Sequence, residues 1–400
     1  MKILARLRLP LFGGTFASAL LLFVCYSSSG FAQPITPAAL DTALQSAVPG
    51  SVVSLEGASP YTTYNQTPNN LTLGAGNLIY SDDPETVSGY GILYGDVVSA
   101  GATRLYMYHV NGNAASAKVT AVVENIGAST ANVTFTRKSL PTPSGNYLLA
   151  GKQGVQLFYE NTNLPAPLVI APGARAVLDP ALDSLSVAKN QLVNATYEVV
   201  SDQSLRFTTL LLPSAANTLG VFAAQTVLPG DGFNRQGTFL LFSKENVAPY
   251  VWTSANGMRL FKIGNPNVAY DPNIWGTDAE RSVAAELRGS YAVTYKIRVN
   301  VSSSNGKRLA LLLNPRGGSY AGYIRTSLPD GGPSTGQFLP SPTLNMSDSA
   351  NAIVCAKMPL SATPQTLLIE LIPAGASNLP FELILTPYSA PAQVSEWSLY

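Results

Sequence analysis

The chain has 400 residues, with 24 Lys and Arg against 23 Asp and Glu and a single histidine. Charged residues make up 12% of it, about half of the ~25% usual in soluble domains. A chain this close to neutral, with no Lys/Arg cluster, is poorly suited to nucleic acid or an anionic membrane surface, because both select basic patches.

The first element reads as an export signal. "MKILARLRLP" carries Lys2, Arg6 and Arg8 without an acid, an apolar run extends from Leu11 to Cys25, and Gly30-Phe31-Ala32 has the small-x-small pattern of a signal-peptidase site. Cleavage after Ala32 is expected, with the product secreted, extracellular or at the cell surface. The apolar run is shorter than the ~20 residues of a membrane span. A lipoprotein reading of Cys25 wants a small residue before the cysteine, and Val24 is not small. Removing residues 1–32 takes three bases and no acid, leaving 21 basic against 23 acidic residues. Cys355 is then the one remaining thiol, so stability must come from core burial rather than from an internal disulfide.

Residues 33–75 read as an N-terminal arm or linker. "PAALDTALQSAV" can form one short helix stopped by Pro-Gly, and "ASPYTTYNQTPNN" reads as an extended polar stretch. From residue 76 short strands alternate with turns. In "RLYMYHV", Leu105, Met107 and His109 fall on one face and Tyr106, Tyr108 and Val110 on the other. "AKVTAVVENIG" and "ANVTFTRKSL" follow, then "LVIAPGARAVLD" around a Pro-Gly turn, then "ATYEVVS" and "LRFTTLLLP". A second run of strands includes "GTFLLFS", "YAVTYKIRVNV", "KRLALLLNP", "QTLLIELIP" and "PFELILTP". Asp278 to Leu287 is the exception, with helical spacing. The turn rhythm of about 8–12 residues predicts an all-β chain of two packed β-sandwich domains, immunoglobulin-like or jelly-roll-like, with little helix. The domains are expected at 76–219 and 220–392.

Several stretches carry a resemblance: "SDDPETVSGYGILYGDV", "RLYMYHVNGN", "VVENIGASTANVTFTR", "NYLLAGKQGVQLFYE", "RQGTF", "GGSYAGYI" and "PAGASNLPFELILTP". Together they resemble an uncharacterised family of secreted bacterial proteins often found beside a cell-wall module named after the N-terminal domain of copper amine oxidases. The resemblance implies export; the accessory cell-wall module is not seen in this sequence, which removes the most direct hint of a wall anchor, and the family brings no known chemistry. A copper site of that oxidase type needs several imidazoles, and a thiolate-imidazole zinc site needs more than one Cys and one His.

Four kinds of chemistry compete for the remaining residues. "GGSYAG" around Ser319 has Ala321 where a nucleophile elbow needs glycine, and a tight turn explains its glycines. "RLYMYHVNGN" gathers Arg104, Tyr106, Tyr108, His109, Asn111 and Asn113, a set that suits a polysaccharide lyase or hydrolase using His109 with a Tyr such as Tyr108 as acid and base and Arg104 neutralising charge, although alternation turns His109 away from Tyr106 and Tyr108, so that another strand would have to bring a Tyr such as Tyr147, Tyr159 or Tyr323; a hydrogen-bonded structural histidine is the competing reading. A glycosidase needs two carboxyl groups, for which Asp82, Asp83, Glu85, Asp96, Asp271 and Asp278 are available, although "DDPE" fits a capped turn. Calcium has a weak match in "DPNIWGTD" through Asp271, Asn273 and Asp278; no cofactor is otherwise expected.

Nineteen Tyr and three Trp suit stacking on sugar rings. Tyr250, Trp252 and Trp275 lie in loop-like contexts where exposed aromatics mark interfaces, and Asn111 and Asn113 can bond hydroxyls. The sequence thus points to a secreted, non-catalytic binding or structural protein of the cell exterior that recognises polysaccharide or cell-wall polymer. A polysaccharide-active enzyme and a subunit of an extracellular assembly, self-paired through segment 58–73, are the alternatives.

Overall fold

The computed structural model describes residues 38–55, 71–246, 248–264, 271, 273–327, 335–340 and 345–390. The expected export signal at 1–32 and most of the Tyr/Asn-rich segment 58–73 lie outside them. The described chain is all-β: three sheets of fourteen, five and four strands, built mostly from antiparallel pairs. No helix of the described residues is long and apolar enough to cross a membrane.

The largest sheet is the spine. One end of it, through Leu71–Ser81, Gly101–Asn111, Leu192–Ser201, Ala131–Ser139 and Leu168–Ile170, faces the four-stranded sheet of Gly91–Val98, Leu205–Pro213, Ala117–Asn125 and Arg175–Val177. Alternation along these strands sends Leu105, Met107, Val119, Val123, Phe207 and Leu211 into a shared core. The other end, through Thr294–Ser302, Gln365–Leu371, Gly322–Ser327 and Thr335–Leu339, faces the five-stranded sheet. There Ile297, Val299, Leu311, Ile353, Ile369 and Leu383 close a second core. Gly237–Asn246 joins the two ends, antiparallel to Leu71–Ser81 and parallel to Thr294–Ser302. The sandwiches therefore share one continuous sheet.

The short N-terminal helix forms at Ala38–Ser46, and Val52–Ser54 adds a strand beside Asn351–Met358. Leu40 and Leu44 are buried in a cluster with Leu312 and Ile384, so this part of the arm belongs to the second sandwich. The two strands around Pro172-Gly173 form, but in different sheets: Leu168–Ile170 pairs with Ala131–Ser139 and Arg175–Val177 with Ala117–Asn125. Gly173, at φ 71°, turns this corner in a conformation that favours glycine.

Two elements differ from expectation. Asp278 to Leu287 is not helical: Ile274–Asp278 and Val283–Leu287 make an antiparallel hairpin, with Trp275 opposite Glu286. The buried apolar residues of that stretch, Ala285 and Leu287, cover the sheet together with Ile274 of the paired strand. Conversely, "YLLAGKQGVQLFYE" is a helix, Tyr147–Glu160, capped by Asn146, whose Oδ1 accepts from the Leu149 amide at 3.1 Å. It packs on the face of the spine that carries the tyrosines. Gly151 lets it approach the 373–378 loop, since a Cβ there would stand 2.0 Å from the Gly375 carbonyl oxygen.

Candidate functional site

His109 is fully buried. Its Nδ1 lies 2.9 Å from the Pro84 carbonyl and its Nε2 2.8 Å from Ser81 Oγ. A carbonyl only accepts, so Nδ1 carries the proton and Nε2 accepts from Ser81. Ser81 Oγ in turn sits 2.8 Å from Thr209 Oγ1, which receives the Tyr94 amide at 3.1 Å. Both ring nitrogens are thus occupied by protein, and burial pushes the imidazole down to about 4. The expected acid/base role has no free nitrogen to act through; His109 ties the Asp82–Glu85 turn to the sheet.

Arg104 is likewise internal. Its guanidinium donates to Glu198 Oε2 at 2.6 Å, to the Phe242 and Ala292 carbonyls at 3.1 and 2.6 Å, and to Thr294 Oγ1 at 3.0 Å, between the rings of Phe158 and Phe242. It joins the two sandwiches. Asn111 donates to the Ala115 and Val187 carbonyls and accepts the Asn113 amide, while Asn113 bonds Gly89 through both backbone groups. These two asparagines hold loops together. Asn125 and Asn314 repeat the device at other strand ends, each clamping two carbonyls and the amide two residues on.

The expected aromatic platform does not assemble. Trp252 is buried in strand Tyr250–Thr253, its Nε1 donating to the Gly257 carbonyl at 3.0 Å. Tyr250 is partly buried, edge-on to Phe261 at 5.5 Å between ring centroids. The low-charge loop spelling concealed a strand whose parallel pairing with Thr294–Ser302 turns Trp252 into the second core. Trp275 alone is open, at 65% exposure. The calcium set is also dispersed: Asp271 accepts from Lys244 Nζ at 2.6 Å, Asn273 bonds Glu286, and Asp278 pairs with Arg281 at 2.6 Å. Around Ser319, Arg316 and Gly317 adopt φ of 59° and 88°, the tight turn the glycines predict.

What the fold does build is a cleft on the tyrosine face. The parallel register sets Tyr80 beside Tyr106, and the two-residue period of the strand puts Tyr108 on the same side. The rings stack, with centroids 4.8 Å apart for Tyr80–Tyr106 and 6.4 Å for Tyr106–Tyr108. Tyr291 and the 375–378 segment close the opposite wall, Tyr291 Oη donating to the Ser377 carbonyl at 2.6 Å. The cleft measures about 190 Å³, many times the roughly 10–15 Å³ that a single water occupies on this scale. Gly375 sits where a Cβ would come 2.8 Å from Tyr108 and 3.0 Å from Tyr106 Oη.

Asp82 and Glu85 line this cleft at the end of the strand that supplies Tyr80. Asp82 is 7% exposed; its Oδ2 receives Tyr80 Oη at 3.3 Å and lies 3.5 Å from Arg235 Nε, while its Oδ1 is buried without any hydrogen-bond partner. Burial lifts the Asp82 carboxyl well above the ordinary carboxylate range, against the opposing pull of Arg235. Arg235 is shared: it also holds Asp231 at 2.6 Å and approaches Glu85 at 3.9 Å. Burial pushes the Tyr291 phenol up to about 12 and raises Tyr80 and Tyr106 further, so these phenols stay neutral donors. Sequence reasoning placed Asp82 and Glu85 among unassigned carboxylates and passed over Tyr80, Tyr291 and Asn378. The signal available was "LIYSDDPE": an aromatic strand end running directly into acids.

No family model matches the chain, and no curated protein does. Among solved structures, the CUB1-EGF-CUB2 domain of human MASP-1/3 is similar over 73% of this chain and 99% of its own, at 8% identity and a TM-score of 0.17. YhaK from Escherichia coli matches over 76% and 89%, at 10% identity and 0.14. A Paenibacillus xanthan lyase matches over 86% of this chain and 27% of its own, at 7% identity and 0.16. Superposition this poor carries no argument about function.

Proposed function

We propose that this is a secreted, non-catalytic binding protein of the cell exterior that recognises polysaccharide or cell-wall material through the tyrosine cleft. The observation that carries the reading is the tyrosine-lined cleft itself, about 190 Å³, with Asp82, Glu85 and Asn378 among the residues that line it. A sugar edge supplies hydroxyl donors and acceptors for these polar groups together with C–H faces that pack on aromatic rings. Neutral phenols, the Asn378 rim and an overall charged fraction of 12% suit a hydroxyl-rich ligand. The occupied nitrogens of His109 weigh against the catalytic alternative.

The test is co-sedimentation of the purified protein with insoluble cell walls and polysaccharides, with polymer lengths measured after incubation. Retention on intact polymer is expected, weakened by Tyr108→Phe and Asn378→Ala, both of which leave the core filled. Shortened polymer, or no retention on any polymer, would overturn the reading.

A further inference from the structure

We propose that Lys244 and Asp271 condense to an intramolecular amide, a covalent tie that the folded chain forms on itself. The parallel register of Gly237–Asn246 with Thr294–Ser302 sets Lys244 directly beside Tyr295. Asp271 stands just ahead of the strand Ile274–Asp278, and Gly264 follows the strand Arg259–Ile263. Lys244 Nζ lies 2.6 Å from Asp271 Oδ1, with side-chain exposures of 1% and 0%. Among the described residues no other lysine–carboxylate pair is closed to this degree. Lys118–Asp183 leaves its acid 24% exposed, Lys138–Asp179 leaves its lysine 11% exposed, and the rest are more open.

The groups around the carboxyl are those a condensation needs. The Tyr295 hydroxyl donates between Oδ1 and Oδ2, at 3.1 and 3.2 Å, and the Gly264 amide donates to Oδ2 at 2.8 Å. Nζ also donates to Ser290 Oγ at 3.0 Å. Two charges held out of water carry a heavy desolvation cost, and one proton moved from Nζ to Oδ1 leaves a neutral amine facing a neutral acid. Burial pulls the Lys244 ammonium in that direction, against the attraction of Asp271. The nitrogen lone pair then attacks Cγ, which is one bond beyond the oxygen it faces. Rotation about Cβ–Cγ brings nitrogen and carbon to the ~3–3.5 Å of a near-attack contact. As the C–N bond forms, negative charge collects on Oδ2, where the Gly264 N–H and the Tyr295 O–H already point. A second proton leaves the nitrogen for Oδ1 through Tyr295 Oη, 3.4 Å from Nζ and 3.1 Å from Oδ1. The C–Oδ1 bond breaks, Oδ1 departs as water, and Oδ2 becomes the amide carbonyl. One ammonium and one carboxylate thus give one amide and one water, with no oxidant or further reactant. The amide is uncharged, so the burial that disfavours the ion pair favours the product. The tie joins residues 27 positions apart and fastens the strand shared by both sandwiches. Cys355 is the one free thiol of the described residues, so a disulfide cannot do this there.

The test is the intact mass of the purified, denatured protein, read against the mass of its sequence from the measured N-terminus, followed by peptide mapping. The expected result is a deficit of one water, with Lys244 resistant to trypsin and a branched peptide joining the segments that carry Lys244 and Asp271. Lys244→Arg keeps a cation but offers no amine that can lose its proton, and it should restore the full mass. Tyr295→Phe should slow the appearance of the deficit by about tenfold or more. Full sequence mass in the folded wild type overturns the proposal, and that reading depends on no variant. A deficit that persists in Lys244→Arg, or one without the branched peptide, as from a succinimide at Asp231-Gly232, overturns it too. An unchanged rate in Tyr295→Phe overturns the proton relay and leaves the tie.

Discussion

Replacing His109 by Gln should change how stability responds to pH. The imidazole is held neutral in the fold at about 4, whereas an unfolded chain restores it to about 6.5. Between those values the unfolded state binds more protons than the native one, so protonation favours unfolding. The stabilisation is present in full above about pH 6.5 and is lost as pH falls towards 4. At 1.36 kcal/mol per unit, the histidine alone costs the fold about 3 kcal/mol across that window. Carboxylates titrate in the same range, but they are common to both proteins and cancel in the difference. Urea unfolding of the wild type and His109→Gln from about pH 7 down to about pH 4.5 should therefore show the wild-type advantage shrinking steadily. Because the chain has one histidine, its ring protons can be followed by NMR without assignment, and they should not titrate until near the bottom of the range. A ring midpoint near 6.5, or a stability difference flat with pH, would refute the structural role and reopen the catalytic one.

Arg104→Met should destabilise by about 3–5 kcal/mol, the usual cost of leaving a buried partner uncompensated, since Glu198 and two carbonyls lose their donor; denaturant melts would register it. The two described tryptophans should separate. Trp252→Ala empties a core site and costs about 3–5 kcal/mol, while Trp275→Ala stays within about 0.5 kcal/mol and reduces the red-shifted part of the fluorescence. Gly151→Ala should cost at least about 1–3 kcal/mol in thermal unfolding, because the new methyl meets the Gly375 carbonyl; a neutral result would mean that the helix does not seat against that loop.

Strand content and the two sandwich cores were legible because alternation is a local property. The split of "RLYMYHV" into a Leu105/Met107 face and a Tyr106/Tyr108 face is found as expected. The Tyr147–Glu160 helix was missed because its buried stripe is interrupted by Gly151, Lys152 and Gly154, small or charged residues that only a close neighbour explains. Trp252 and Trp275 look alike in sequence, each in a polar context, and differ only in which neighbouring strand pairs with theirs. The cleft was not legible at all. Tyr80 meets Tyr106 through a parallel register, and the 375–378 wall arrives from almost three hundred residues further along the chain, so no local pattern links them.

Hydrogen exchange of the protein with and without the retained glycan tests the central claim most directly. The account predicts protection in the segments carrying Tyr80–Glu85 and Arg104–Val110 and in residues 373–378, with the Ile274–Asp278 hairpin unchanged. Protection confined to that hairpin, where Trp275 is exposed, or absent everywhere despite retention on the polymer, would contradict it.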